Sequence, residues 1–181
     1  ICTANQNVII ANATAAAKRK IDAILEENGI AIATSSGLRR NSMACVALPT
    51  CGLALAESER YLPGLITKME ALLSDNGLIE DEIVIRMTGC PNGCARPYLA
   101  EIGLVGRGPD TYNLYLGAAF DGSRLSKLYA QDVREEAILA LLKPLFARYA
   151  HDRNPGERFG DFVIRAGIVA PTLQGNKFHD V

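Results

Sequence analysis

Four of the five cysteines in this chain of 181 residues fall into two short clusters, and this grouping constrains the fold more than any other feature. Cys45 and Cys51 are separated by five residues, and Cys90 and Cys94 by three, while Cys2 stands alone. A single cysteine usually behaves as a small apolar residue. Two tight pairs are typical of a metal site to which two loops each contribute two thiolates.

The second pair is predicted to lie on a tight turn. Pro91 suits the second position of a type I turn because its ring fixes φ, and Asn92 and Gly93 suit the third and fourth positions. The chain should therefore reverse directly after the first cysteine of this pair, so that both cysteines face one centre. Gly89 and Gly93 leave room for the backbone to approach an inorganic group and for N–H groups to donate hydrogen bonds to sulfur.

The first pair is predicted to lie on a loop, because Pro49 biases Leu48 towards an extended conformation. Buried apolar cysteines and disulfides are the plainer alternatives, but the chain shows no secretory signal and has few cysteines for a disulfide-stabilised domain. Zinc is the stronger competitor. Structural zinc sites usually space paired cysteines by about two to four residues, which fits the second pair and not the first. An iron–sulfur cluster is therefore favoured.

Composition describes an ordinary globular domain and excludes some classes of function. The net charge is −1 and 49% of the residues are hydrophobic, so no basic excess indicates nucleic-acid binding. No apolar run reaches the roughly 18 residues of a membrane span. Unpaired thiols favour a cytoplasmic location. The chain begins with Ile1 instead of Met, which predicts a fragment of a longer protein.

Hydrophobic periodicity predicts an α+β fold in which a mixed β-sheet is flanked by helices. Helices are expected at residues 15–28 and 62–73 and after Asp132, which with Glu135 would cap the last of them; a kink or break is expected at Pro144. Residues 34–41 are predicted to be a polar loop. Strands are expected at residues 30–33, 83–87, 101–106, 112–116 and 161–166, with a hairpin loop at 107–111.

The cysteine motifs carry a resemblance to a known family. The segments Asn41-Ser-Met-Ala-Cys45 with Cys51, and Thr88-Gly-Cys-Pro-Asn-Gly-Cys94, resemble the C-terminal half of the sirohaem-dependent sulfite and nitrite reductases. The likeness extends to residues 3–7, 100–106 and 159–167, and therefore spans essentially the whole chain.

The resemblance implies a ligand set and a domain division. Cys45, Cys51, Cys90 and Cys94 would ligate one 4Fe-4S cluster, and Cys94 would also bridge to the iron of a sirohaem. Asn92 and Gln6 would lie close to the sirohaem. No catalytic residue is expected in this chain, because the basic residues that bind substrate lie in the family's N-terminal half. Residues 1–12 would be the end of a preceding ferredoxin-like half-domain or a lead-in strand, and residues 13–181 the cluster domain.

The function that the resemblance implies is the six-electron reduction of sulfite to sulfide. Its expected partners are the N-terminal half of the same subunit and an electron donor, either an NADPH-dependent flavoprotein subunit or a ferredoxin. The alternatives are reduction of nitrite to ammonia, a haem-free 4Fe-4S electron-transfer module, and a fragment that holds no cofactor. Six basic residues near the motifs could bind macrocycle carboxylates, although each one singly is better explained as a solvated side chain: Arg39, Arg40, Arg96, Arg107, Arg124 and Lys127.

Overall fold

A five-stranded mixed β-sheet forms the centre of the computed structural model, which describes residues 1–30, 35–177 and 179. The strands are β1 (Ser42–Ala44), β2 (Ile85–Thr88), β3 (Ile102–Gly108), β4 (Thr111–Leu116) and β5 (Lys127–Val133), and they lie in this order across the sheet. β1, β2 and β3 pair in parallel, whereas β4 is antiparallel to both β3 and β5. The predicted mixed sheet is confirmed.

Five α-helices lie in the described part of the chain, and the last three of them pack on one face of the sheet. The five helices are α1 (Ala15–Glu27), α2 (Gly37–Arg40), α3 (Leu62–Ser74), α4 (Glu135–Asp152) and α5 (Phe159–Arg165), with a short 3₁₀ helix at Pro97–Leu99. Apolar residues of α3, α4 and α5 form the main core with alternate residues of the strands, such as Leu104 and Leu114. None of the helices in the described part of the chain combines the length and apolarity needed to cross a membrane.

The opposite face of the sheet carries a smaller core of Val105, Tyr115 and Leu128, against which Tyr98 packs. The 3₁₀ helix lies directly over β3 here, because a Cβ atom on Gly103 would come within 2.4 Å of the Pro97 carbonyl oxygen. Only glycine permits this approach. The sheet is therefore covered on both sides where the chain passes from the second cysteine pair into β3.

Several elements agree with the sequence-based expectations. α1 ends at Glu27 with Asn28 as its C-cap, and Gly29 follows in the left-handed conformation, with a φ of 68°, that is typical after a helix C-terminus. α3 begins with Pro63 in its first turn and stops before Gly77. β3 and β4 form the predicted hairpin.

Other expectations are wrong. Residues 161–166 lie within or directly after α5, because Phe159, Phe162 and Val163 have helical spacing and are fully buried together. Asp132 is not a helix cap: it lies in β5 with a φ of 51°, and its N–H donates to Asn113 Oδ1. The helix α4 continues through Pro144 without a break.

The segment before β1 is partly helical instead of an irregular loop. Residues 37–40 of the predicted polar loop form α2, whose N-cap Ser36 accepts a hydrogen bond from the Arg39 N–H. The strand expected at residues 30–33 falls almost entirely outside the described residues.

A buried carboxylate joins the sheet to α5. Glu101 is 0% exposed, and its two oxygens accept hydrogen bonds of 2.8 Å from the N–H groups of Val84 and Gly160. Desolvation raises the pKa of Glu101 to about 7, although the two backbone N–H groups oppose this shift. The native state therefore holds this proton to a higher pH than the unfolded chain does.

This difference predicts a pH-dependent free energy of unfolding. Glu101 stabilises the fold by on the order of 3 kcal/mol below its ordinary carboxyl pKa of 4.5. This stabilisation is lost as the pH rises towards 7. Glu101→Gln removes the titrating group, so the free energy of unfolding should change less between pH 5 and pH 8 than in wild type. Urea denaturation at several pH values measures this slope.

The matched control is Glu136→Gln, since Glu136 is exposed in the first turn of α4. This variant should keep the wild-type slope. Equal slopes for Glu101→Gln and wild type would show that Glu101 does not titrate in this range.

Candidate functional site: a cavity lined by four cysteines

Both cysteine loops begin where neighbouring parallel strands end. Cys45 directly follows β1, and Cys90 comes two residues after the end of β2. Because parallel strands point the same way, their carboxyl ends meet at one edge of the sheet. The pairing of β1 with β2 therefore brings the two loops together, although 38 residues separate Cys51 from Cys90. The prediction that Cys90 follows the end of a strand is confirmed, whereas β1 was not predicted.

The first cysteine loop is hydrogen-bonded to the end of β2. The Met87 carbonyl accepts a hydrogen bond of 3.1 Å from the Cys45 N–H and one of 2.8 Å from the Ser58 hydroxyl. Two residues further on, the Gly89 carbonyl accepts hydrogen bonds of 2.8 and 3.0 Å from the N–H groups of Leu55 and Ala56. The loop is thus held at both of its ends.

Gly89 also contacts a cysteine directly. Its N–H donates a hydrogen bond of 3.2 Å to Cys45 Sγ, which confirms the expected backbone N–H donor to sulfur. The residue is enclosed: a Cβ atom at this position would lie 2.6 Å from both Ala47 Cβ and the Ala56 carbonyl oxygen. Only glycine fits between the two loops at this point.

The second cysteine loop reverses as predicted. The Gly93 N–H donates to the Cys90 carbonyl over 3.4 Å, which closes the turn through Pro91 and Asn92. Gly93 has a φ of 70°, and its carbonyl accepts a hydrogen bond of 2.7 Å from the Arg96 N–H in a second turn. The two successive turns place both cysteines of this loop on the same cavity.

All six residues singled out from the sequence line one cavity of about 440 Å³. They are Gln6, Cys45, Cys51, Cys90, Asn92 and Cys94. The rest of the lining is mostly small or apolar, and includes Ala44, Val46, Ala47, Leu53, Ala54 and Ala95. Four soft thiol ligands in apolar surroundings, without a carboxylate, form a donor set that suits iron–sulfur or zinc chemistry.

The four thiols differ in their access to solvent. Cys90 is buried at 8% exposure, Cys45 and Cys51 are half-buried, and Cys94 is exposed. All five cysteines are free. Cys2 is exposed and does not line the cavity. Within residues 1–30, 35–177 and 179, no three His, Cys, Asp or Glu side chains converge closely enough to hold a single metal ion.

Gln6 reaches the cavity from the N-terminal segment and attaches to β1. Its Nε2 donates to the Ala44 carbonyl over 2.9 Å, and its Oε1 accepts from the Ala44 N–H over 3.3 Å. Ala44 directly precedes Cys45. The side-chain amide of Gln6 therefore makes the two hydrogen bonds that a neighbouring strand would make with β1, next to the first cysteine.

Arg96 at the cavity and Tyr98 beside the second cysteine loop were not among the six site residues predicted from the sequence. Arg96 lines the cavity and donates hydrogen bonds to the Ala4 carbonyl (2.8 Å) and Asn5 Oδ1 (3.1 Å). Tyr98 contacts the second cysteine loop, since a Cβ atom on Gly93 would lie 3.4 Å from its ring. Burial is the main cause that raises the pKa of Tyr98 to about 12, and electrostatic interaction with Tyr115 and Cys90 adds to it. No sequence signal pointed to Tyr98.

The other basic residues near the motifs do not line the cavity. Arg39 pairs with Glu70 at 2.5 Å, Arg124 with Asp161 at 2.6 Å, and Arg107 lies 3.9 Å from Asp132. Lys127 donates to the Lys177 carbonyl, and Arg40 donates to the Ser35 carbonyl. Of the six basic residues near the motifs, only Arg96 is placed to meet a ligand in this cavity.

The fold is shared with part of a larger protein of known structure. The structure of Mycobacterium tuberculosis NirA protein superposes with a TM-score of 0.69 at 28% sequence identity, over 83% of this chain and 30% of the NirA chain. No family model matches the chain.

Curated relatives identify the family. The chain is 68% identical over 178 residues to the protein named sulfite reductase [NADPH] hemoprotein beta-component from Methylobacterium nodulans, and 60% identical over 179 residues to the protein of the same name from Bacillus licheniformis. These alignments cover 98% of this chain but 29% and 31% of the relatives. The chain belongs to the sulfite reductase hemoprotein family, which confirms the resemblance drawn from its motifs.

The enclosure of Gly89 predicts a strong effect of one added methyl group. Gly89→Ala should lower the free energy of unfolding by about 1–3 kcal/mol, because neither a backbone carbonyl nor a short Ala side chain can move aside. Separation of the two loops should also expose the half-buried Cys45 thiol, so that it reacts faster with a thiol reagent. Chemical denaturation and timed thiol labelling measure the two effects.

Gly52→Ala is the matched control within the first cysteine loop, since nothing lies within 4 Å of the added Cβ. It should change the free energy of unfolding by less than about 0.5 kcal/mol. If Gly89→Ala were equally mild, the close packing of the two loops would be refuted.

Proposed function

We propose that this chain is the cluster-binding part of a sulfite reductase hemoprotein that reduces sulfite to sulfide with six electrons. The observation that carries the proposal is the convergence of Cys45, Cys51, Cys90 and Cys94, from two loops, on one cavity. The identity of 60–68% with proteins named as sulfite reductase hemoproteins supports the assignment of the reaction.

The donor set fits a 4Fe-4S cluster better than a zinc ion. A zinc ion would hold four sulfurs about 2.3 Å from one point. In a 4Fe-4S cluster each thiolate binds a separate iron, so the thiolates surround an inorganic core. Four cysteines distributed around a cavity of about 440 Å³ match this second arrangement. When bound, the cluster and a sirohaem coupled to it would supply single electrons and the iron that binds substrate.

The exposure of the four thiols supports different roles for them. Cys45, Cys51 and Cys90, which are half-buried or buried, would only hold the cluster. Cys94 is exposed, so its sulfur can also reach a second group outside the loops, as expected for the bridge to sirohaem. Asn92, on the exposed turn before Cys94, and Gln6 at the cavity rim are proposed to lie beside that group.

The surrounding residues would adjust the properties of the centre. The Gly89 N–H donates to Cys45 Sγ, and such a bond stabilises the more negative, reduced state of a cluster. The apolar lining from Ala47, Leu53 and Ala54 would limit the access of water. Arg96 offers a guanidinium group for a carboxylate of a macrocycle.

The remaining partners belong to the same proposal. The chain spans 29% of the length of its Methylobacterium relative, and α1 buries none of its residues. Exposed apolar side chains of Val8, Ile9, Ile10 and Ile24 supply a surface that the rest of the polypeptide would cover. That part would bring the substrate-binding basic residues, and a flavoprotein subunit or a ferredoxin in the cytoplasm would deliver electrons. The division between residues 12 and 13 stays a prediction.

Replacing a buried ligand tests the cluster. Cys90→Ser in the full-length, anaerobically purified protein should remove most of the iron and acid-labile sulfide, because a serine hydroxyl is a poor ligand for this iron. Cys2→Ser, which changes a cysteine remote from the cavity, should keep wild-type content. Iron and sulfide analysis with absorption spectra would decide. Zinc in place of iron, or equal iron in both variants, would overturn the proposal.

Replacing the exposed cysteine tests the bridge. Cys94→Ser should abolish the electronic coupling between haem and cluster, since no shared sulfur atom would remain. Mössbauer spectroscopy of the full-length protein reports this coupling. A broad cluster band without a Soret band in wild type would indicate a haem-free electron carrier, and faster turnover of nitrite than of sulfite would identify a nitrite reductase.

A further inference from the structure

A second, much smaller pocket lies beside the cysteine cavity and is lined by cationic and amide side chains. Its volume is about 50 Å³, which is room for about three to five water-sized groups. The polar residues that line it are Asn5, Asn7, Arg40, Asn41, Ser42 and Arg86, here called the amide–guanidinium pocket. No acidic side chain is among its lining residues.

The charge of this pocket is not neutralised within the described part of the chain. The Arg86 guanidinium makes no hydrogen bond or ion pair with any residue in 1–30, 35–177 or 179. Arg40 has one carboxylate near it, that of Glu80 at 3.8 Å, and this side chain is 81% exposed and therefore strongly hydrated. Two positive groups thus face a small space without a matching anion.

Burial makes this arrangement costly for Arg86. The side chain is half-buried on β2, and desolvation, followed by the positive charge of Arg96, lowers the pKa of Arg86 from its ordinary value. A desolvated cation beside a like charge destabilises a fold unless an anion compensates it. The direction of the pKa shift agrees with the geometry: this charge lacks a partner.

Other arginines of the protein, which are more exposed to solvent, have carboxylate partners. Near α5, Arg153 pairs with Asp81, Arg158 lies 3.2 Å from Glu82, and Arg165 lies 2.6 Å from Glu157. Each cation there has its own carboxylate. The unpaired Arg86 departs from this pattern, and its neighbours in the pocket are amide and hydroxyl groups that also donate hydrogen bonds.

We propose that the amide–guanidinium pocket binds a small inorganic oxyanion of the sulfate or sulfite type. Guanidinium groups bind two oxygens of such an anion at once, and the Nδ2 groups of Asn5 and Asn7 supply further donors. Asn41 Nδ2 and the Ser42 hydroxyl already donate to the carbonyls of Gly37 and Arg39. Asn5 Oδ1 already accepts from Arg96, which leaves its Nδ2 as the group available for an anion. The volume admits a few heavy atoms and excludes a macrocycle.

The position of the pocket gives the bound anion a role. Met43 lines both the pocket and the cysteine cavity, and Arg96, which lines the cavity, is hydrogen-bonded to Asn5 of the pocket. An oxyanion held here would therefore lie close to the cavity. The pocket is therefore a site where an oxyanion is held next to the cavity. The binding itself is independent of the function proposed above, and its test does not use catalysis.

Thermal unfolding of the full-length protein with sodium sulfate tests the proposal, with sodium chloride added to keep the ionic strength constant. Sulfate stabilises most proteins in a gradual, unsaturable way by exclusion from the surface. Specific binding adds a saturable rise in Tm at low sulfate concentration. Wild type should show both effects. Arg86→Gln should bind sulfate at least tenfold more weakly and keep only the gradual effect.

Arg148→Gln is the matched control, because Arg148 is an exposed arginine on α4, 3.9 Å from Asp152 and remote from the pocket. It should keep the saturable rise. Arg40→Gln serves as a second pocket variant if Arg86→Gln does not fold, and calorimetric titration of wild type with sulfate measures the binding directly. Equal sulfate responses of wild type and the pocket variants would overturn the proposal. So would absence of a saturable response in wild type, which would assign the pocket to a carboxylate from the remainder of the polypeptide.

Discussion

The attachment of the first cysteine loop to the end of β2 is the interaction on which the candidate site depends. The carbonyl groups of Met87 and Gly89 accept hydrogen bonds from four donors of the loop, and the Gly89 N–H donates to Cys45 Sγ. Each such bond is worth only about 1 kcal/mol. Together these hydrogen bonds hold the two loops in a fixed relative position, so the position of one cysteine pair determines that of the other.

This attachment requires very close packing, which glycine provides in two layers. Gly89 fits between Ala47 and Ala56, and beneath it a Cβ atom on Gly106 of β3 would lie 2.4 Å from the Gly89 carbonyl oxygen. The loops therefore rest directly on the backbone of the sheet. A centre built in this way has little freedom to rearrange, which suits a redox group whose ligands must keep their places when its charge changes.

The sequence predicted the parts of the site whose chemistry is local. The turn through Pro91 and Asn92 follows from the residues themselves, and so do the loop around Pro49 and the strand that leads to Cys90. What it missed depends on distant partners. β1 has only three residues, Ser42–Ala44, and no β-branched side chain, so it is a strand only because β2 lies beside it.

The wrong expectations have the same origin. Asp161 to Ala166 contains β-branched residues, but burial of Phe159, Phe162 and Val163 against α4 favours a helix. Asp132 has the chemistry of a cap, yet the register shift between β4 and β5 places it in a strand. No sequence pattern predicted the amide–guanidinium pocket, because its residues come from three separated segments of the chain.

The docking of Gln6 on Ala44 has a consequence for the behaviour of the protein in solution. β1 is an edge strand, and an unpaired edge is a template for the strand of another molecule. The side-chain amide of Gln6 forms hydrogen bonds with both the N–H and the carbonyl of Ala44, so another strand cannot pair there, immediately before Cys45. Gln6 thus covers the open edge of the sheet at Ala44, and Gln6→Ala would leave this backbone pair open to another strand.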